Sequence, residues 1–182
     1  MATTSNKPVK FIAVFTMLAG LLMIVAGGVT WGLVQSQLKD EHITVAPVTP
    51  ENPGRLAGKD VAGPFTAYAQ ASAIQHHALD GAQGKTYAQI GAEATALKAK
   101  LKASGASDAD IADNAAVKAL AATRTTTMNG SFLRASLFTS VVAFGIAALV
   151  MGLGLLFMLI GYALTKVTKT VVTEPATVRA RE

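Results

Sequence analysis

The chain has 182 residues, 51% of them hydrophobic and only 15% charged, and its apolar residues are gathered into two uncharged runs. Charge so far below the usual quarter, with two runs longer than a bilayer crossing needs, excludes a simple soluble domain, and what remains is too short for a large enzyme. The net charge of +5 comes from the ends, because segment 35–136 carries ten bases against nine acids, so the basic folded surface of a nucleic-acid binder is absent.

In chain order, residues 1–10 form a short tail with Lys7 and Lys10 and no acid. Phe11 to Val34 is 24 residues without a charge. At 1.5 Å per residue such a run reaches about 36 Å, enough for about 30 Å of hydrocarbon, so residues 11–35 are expected to form a transmembrane helix. The run is too long for the apolar part of a signal peptide, and no small-residue cleavage site follows it.

Residues 36–132 are expected to form a mostly helical loop. Pro47, Pro50 and Pro53 with Gly54 forbid regular helix, which makes 43–64 an extended connector, with a short strand at His42–Val45. Phe65 to Leu79 reads as an amphipathic helix with Phe65, Tyr68, Ala69, Ser72, Ala73, His76 and Leu79 on one face, stopped by Asp80-Gly81. The turn Gly84-Lys-Thr-Tyr87 leads into an Ala-rich stretch. Ser107 followed by Asp108 and Asp110 marks an N-cap that divides it into helices over 92–103 and 108–122. These segments hold few large apolar side chains, so the expectation is a flat helical cap without a deep core. Thr123 to Ser131 is polar and contains glycine, the pattern of a second connector.

Leu137 to Leu164 is 28 residues without a charge, with Arg134 before it and Lys166 and Lys169 after it. Residues 133–165 are therefore expected to cross the membrane, leaving 166–182 as a C-terminal tail. Two crossings put both tails on one side, and their basic residues place them in the cytoplasm, with the loop of about 100 residues extracytoplasmic. The fold class expected is an all-α membrane protein, two transmembrane helices in a helical hairpin, multi-pass in a bacterial plasma membrane. Lys7, Lys10, Arg134, Lys166 and Lys169, together with Trp31 and Tyr162 near the span ends, are the membrane anchors.

Neither uncharged run, 11–34 or 137–164, holds an Asp, Glu, Lys, Arg or His, which argues against a pump, channel or transporter acting alone. Small residues recur instead at seven-residue spacing: Ala13, Gly20 and Gly27 in the first span, Gly145 and Gly152, and Gly154 and Gly161, in the second. Gly28 and Gly32 add a G-x-x-x-G. Such faces let helix backbones approach closely in lipid. They suit either docking onto other membrane helices or packing of the two spans against each other.

Chemistry is thinly represented. The absence of cysteine removes thiolate metal sites and cysteine nucleophiles. His76, His77 and Asp80 are the only ligand-like cluster, but His77 lies about 100° from His76 on a helix and His42 is across the proline connector, short of the three or four ligands a metal needs. Asp80 to Thr86 departs from a phosphate loop, since the first required glycine falls at Leu79. No catalytic residue, cofactor or metal is expected.

The segments VAGPFTAYAQA (Val61 to Ala71), GKTYAQI (Gly84 to Ile90) and SFLRASLFTSVVAFGIAALVMGLG (Ser131 to Gly154) resemble a family of small actinobacterial two-span membrane proteins. The likeness covers both spans and the two ends of the loop, with 92–122 standing as an insertion. Members often carry the label of an aromatic ring-opening dioxygenase. Ring opening by non-haem iron needs two histidines and a carboxylate around open positions, and three scattered histidines do not supply that set. The small-residue faces, the uncharged spans and a loop with little core of its own point to a non-catalytic accessory, structural or assembly subunit whose partners are other integral membrane proteins; by analogy with small two-span actinobacterial proteins, the cytochrome bc–oxidase respiratory supercomplex is a candidate host. A membrane-anchored extracytoplasmic binding or sensing module is the alternative.

Overall fold

The computed structural model describes residues 7–172, with side chains as far as Lys166. The remaining parts of the two expected tails, and the side chain of Lys169, lie outside the described residues. Five helices follow in order: α1 (Lys7–Asp40), α2 (Pro64–Gly81), α3 (Tyr87–Ala103), α4 (Asp108–Asp113) and α5 (Ala115–Val172). α1 and α5 are each long and apolar enough to cross a membrane, and in each only 17% of the most apolar window is buried within the protein. That is the reverse of a soluble core helix, which hides its apolar face. The described residues divide into two compact units, one of residues 7–34 with 143–172 and one of residues 35–142.

In the first unit the apolar parts of α1 and α5 form an antiparallel pair along one narrow seam. Ala13, Gly20 and Gly27 on α1, and Ala147, Gly154 and Gly161 on α5, are the buried small residues. A Cβ placed on Gly154 would lie 2.5 Å from the carbonyl oxygen of Gly20, and one on Gly20 would strike the carbonyl of Gly154. One on Gly27 would meet the Ala147 carbonyl oxygen at 2.8 Å, and one on Gly161 the Ala13 carbonyl oxygen at 2.7 Å. The backbones touch, which only residues without a side chain permit. Trp31 packs edge-on against the buried Phe144 with ring centroids 4.7 Å apart. Away from the seam, Phe11, Phe15, Leu22, Leu149 and Leu155 are exposed.

In the second unit the expected extended connector is folded on itself. Thr44 and Asp60 form one antiparallel bridge, Val45 N–H donates to Lys59 O and Val61 N–H to Ile43 O, both at 2.8 Å, and Val45 and Val61 are buried. This bridge replaces the expected strand at His42–Val45. Gln35 Nε2 donates to Ala62 O at 3.0 Å, and the Ala46 N–H donates to Gln70 Oε1 at 2.7 Å.

α2 starts with Pro64 at its first position, where a missing N–H costs nothing. Its inward face is made of Ala67, Ala71 and Ala73 rather than of the larger residues expected there. Phe65 and Tyr68 are exposed. Alanine lets a neighbouring helix come close: a Cβ on Gly130 of α5 would sit 3.0 Å from Ala78 Cβ. The helix stops in a Schellman arrangement. Gly84 N–H donates to Leu79 O, Gln83 N–H donates to Asp80 O, and Gln83 has a left-handed φ of 54°. The glycine-rich segment is thus a helix stop.

α3 begins at Tyr87, earlier than the expected 92, because Thr86 and Gln89 form a capping box: Gln89 N–H donates to Thr86 Oγ1 and Thr86 N–H to Gln89 Oε1. The expected helix 108–122 is broken at Asn114. Its ψ of 125° ends α4, while its Oδ1 accepts from the N–H groups of Ala116 and Val117 and so caps α5. The expected connector at Thr123–Ser131 is likewise absent, for α5 runs through it. Its hydroxyls turn back on their own helix: Thr123, Thr125, Thr126, Thr127 and Ser131 each donate to the carbonyl four residues earlier. Nor is the loop without a core. Ile90, Ile111, Val117, Thr127 and Leu137 are buried in this unit along with the α2 alanines.

Substitution at the seam tests the close approach of the two long helices. Gly154→Leu overpacks the seam and should cost about 1–3 kcal/mol, read as a lowered Tm in detergent, whereas Gly152→Leu should leave Tm unchanged. At α4, Ser107 Oγ and the Ser107 N–H hold the Asp110 carboxyl below its ordinary value. A pKa depressed on folding stabilises above the unfolded value and ceases to do so as pH falls through the folded one. Hydrogen exchange at α4 should therefore accelerate below the ordinary carboxylate range in the parent protein, and Asp110→Asn should flatten that dependence.

Candidate functional site

The small-residue rows separate into two kinds. Ala13, Gly20, Gly27, Gly154 and Gly161 are consumed by the seam, as their close backbone neighbours show. Gly145, Gly152, Gly28 and Gly32 have nothing within 4 Å of the point where a Cβ would stand. At about 100° per residue, Gly145 and Gly152 lie about 200° around α5 from Ala147 and Gly154, on the side away from the seam. A second seven-residue row of the kind that fits a helix backbone is therefore open.

Among the anchors, Lys7 and Lys10 are exposed near the start of α1, and Lys166 Nζ lies 5.2 Å from the centre of the exposed Tyr162 ring. Trp31 is half-buried against Phe144 and so belongs to the seam. Arg134 differs from the rest. It is half-buried, its guanidinium carbon is 5.1 Å from the Phe138 ring centre, and its Nε is shut off from solvent with no hydrogen-bond partner. Leaving a buried donor unsatisfied costs about 1–3 kcal/mol, more when the group is charged.

Cavities open in several places in the loop unit, and two of them bear on its chemistry. The larger, about 560 Å³, lies among the α2–α3 turn, α3 and the first turns of α5. Ile90, Leu97 and Leu120 line it with Lys85, Glu93 and Lys100, and Lys85 is ion-paired to Glu93 at 2.5 Å. The smaller, about 130 Å³, is lined by Arg134 with Gln75, Thr86, Tyr87, Thr127 and Ser131. Tyr87 also carries the guanidinium of Arg124, 4.2 Å from its ring centre.

His76 and His77 are exposed, with ring centroids 6.1 Å apart, and Asp80 is exposed as well. No group of three or more histidine, aspartate or glutamate side chains suited to a metal comes together among the described residues.

The sequence offered no signal for the Arg134 cavity, because its lining comes from α2, α3 and α5, segments brought together only by the alanine and glycine contacts of the loop unit. Comparison of the chain with family models, with curated proteins and with solved structures finds no match.

Proposed function

We propose that the chain is a non-catalytic accessory or assembly subunit of a larger plasma-membrane complex, inserted through α1 and the apolar part of α5. The observation that carries this reading is the open Gly145–Gly152 row. The hairpin needs one small-residue face on α5 and has it in Ala147, Gly154 and Gly161. A second face of the same period on the far side meets nothing among the described residues but matches what another helix backbone needs in lipid. The exposed apolar residues around it suit lipid or protein, not water. The basic residues at the two ends support cytoplasmic termini and an extracytoplasmic loop. By the analogy given above, the cytochrome bc–oxidase supercomplex is the first host to look for.

The test is affinity purification of the tagged chain from native membranes in mild detergent, with mass spectrometry of what is retained. Stoichiometric membrane subunits should accompany the parent and be lost from Gly152→Leu, while Gly154→Leu disturbs the hairpin as well. Recovery of the chain alone across several detergents sinks the accessory reading.

A second reading, a membrane-anchored binding or sensing module, is favoured by the loop unit's own buried residues and by its 560 Å³ cavity, a size typical of ligand pockets. If it holds, the segment 36–132 should unfold cooperatively in water with the helical signal of α2 and α3. A soluble but unstructured segment counts against it.

A further inference from the structure

We infer that Arg134 and the small cavity beside it form a binding site for a phosphate group. Arg134 Nε is closed to solvent and has no acceptor, and no carboxylate lines the cavity of about 130 Å³ next to it. Neither Arg134 nor Arg124 takes part in an ion pair among the described residues. The hydroxyls of Thr127 and Ser131 on the lining donate to carbonyls of their own helix. The guanidinium on this lining therefore has no anionic partner among the described residues, and an anion in the cavity supplies one.

The surroundings favour phosphate. An arginine fork donates two parallel N–H bonds to a phosphate, and Tyr87 and Gln75, both on the lining, are residues that carry further donors. Arg124, stacked on Tyr87, adds a second positive charge. Thr86 and Tyr87 also form the start of the 17-residue α3, where the helix dipole favours an anion even though the capping box takes the Thr86 and Gln89 N–H groups. A volume of about four waters accommodates one phosphate group. Two sources offer this chemistry, an anionic phospholipid headgroup and free phosphate. Arg134 stands three residues before Leu137, where the uncharged run begins; on the membrane reading above, that is headgroup level.

The full chain in a neutral detergent, titrated separately with inorganic phosphate and with dihexanoyl phosphatidylglycerol, tests the site by calorimetry. The Arg134 Nε–H resonance, assigned by its loss in Arg134→Gln, gives a second readout. Saturable binding with movement of that resonance is expected. Arg134→Gln should weaken it about tenfold or more, Arg134→Lys less, and Arg55→Gln not at all. Saturation by inorganic phosphate identifies a small-anion site and saturation by the phospholipid alone a headgroup site; either supports the inference. Absence of saturation with both probes, or equal binding by parent and Arg134→Gln, overturns it. Should Arg134→Gln fail to fold, Tyr87→Phe carries the same test with a severalfold loss expected. The outcome is independent of the accessory role, since a chain recovered without partners can still bind phosphate.

Discussion

Two helices can approach until their backbones touch only where neither carries a side chain beyond Cβ, and the hairpin of α1 and α5 depends on that condition. Carbonyl oxygens of Ala13, Gly20, Ala147 and Gly154 lie where a side chain on the opposing glycine would have to be. Dispersion and weak Cα–H···O contacts are then short-range and numerous, and they need no water-driven burial to act. The flanking Phe11, Leu22, Leu149 and Leu155 are left pointing outward because the seam is too narrow to use them.

The loop unit uses the same device with alanine. Ala67, Ala71 and Ala73 of α2 are buried while Phe65 and Tyr68 are not, and Gly130 of α5 comes against Ala78. A core built this way is shallow per residue, so polar contacts carry a larger share of the ordering. The Thr86–Gln89 and Ser107–Asp110 boxes and the double acceptance by Asn114 fix where helices begin, and the Val45–Val61 segment folds back through backbone bonds. One consequence of close helices with little side-chain volume between them is unfilled space, as in the cavities beside α3 and Arg134.

The parts legible in the sequence were those written in one continuous stretch. An uncharged run of sufficient length declares a long apolar helix by itself, and seven-residue glycine spacing declares a smooth face. Which face meets which neighbour is another matter, since Gly152 and Gly154 are equivalent as letters and differ only by a rotation about the helix. Thr123–Ser131 differs for a related reason: threonine, asparagine and glycine have low helix propensity, and that local preference is overridden by the burial of Thr127 and the packing of Gly130 on α2, while back-bonding satisfies the hydroxyls. The Arg134 cavity was illegible because Gln75, Tyr87 and Thr127 are far apart in the chain and each is unremarkable alone.

The continuity of α5 through that threonine-rich stretch changes what kind of variation it can accept. A polar connector tolerates insertion and deletion, since slack is its purpose. A helix does not: one residue added between Val117 and Gly130 would turn Gly130, Arg134 and Phe138 by about 100° away from α2 and the Tyr68 ring they now meet. The segment is thus permissive in identity and strict in length, a phase-setting spacer whose linker-like composition conceals a fixed count of residues.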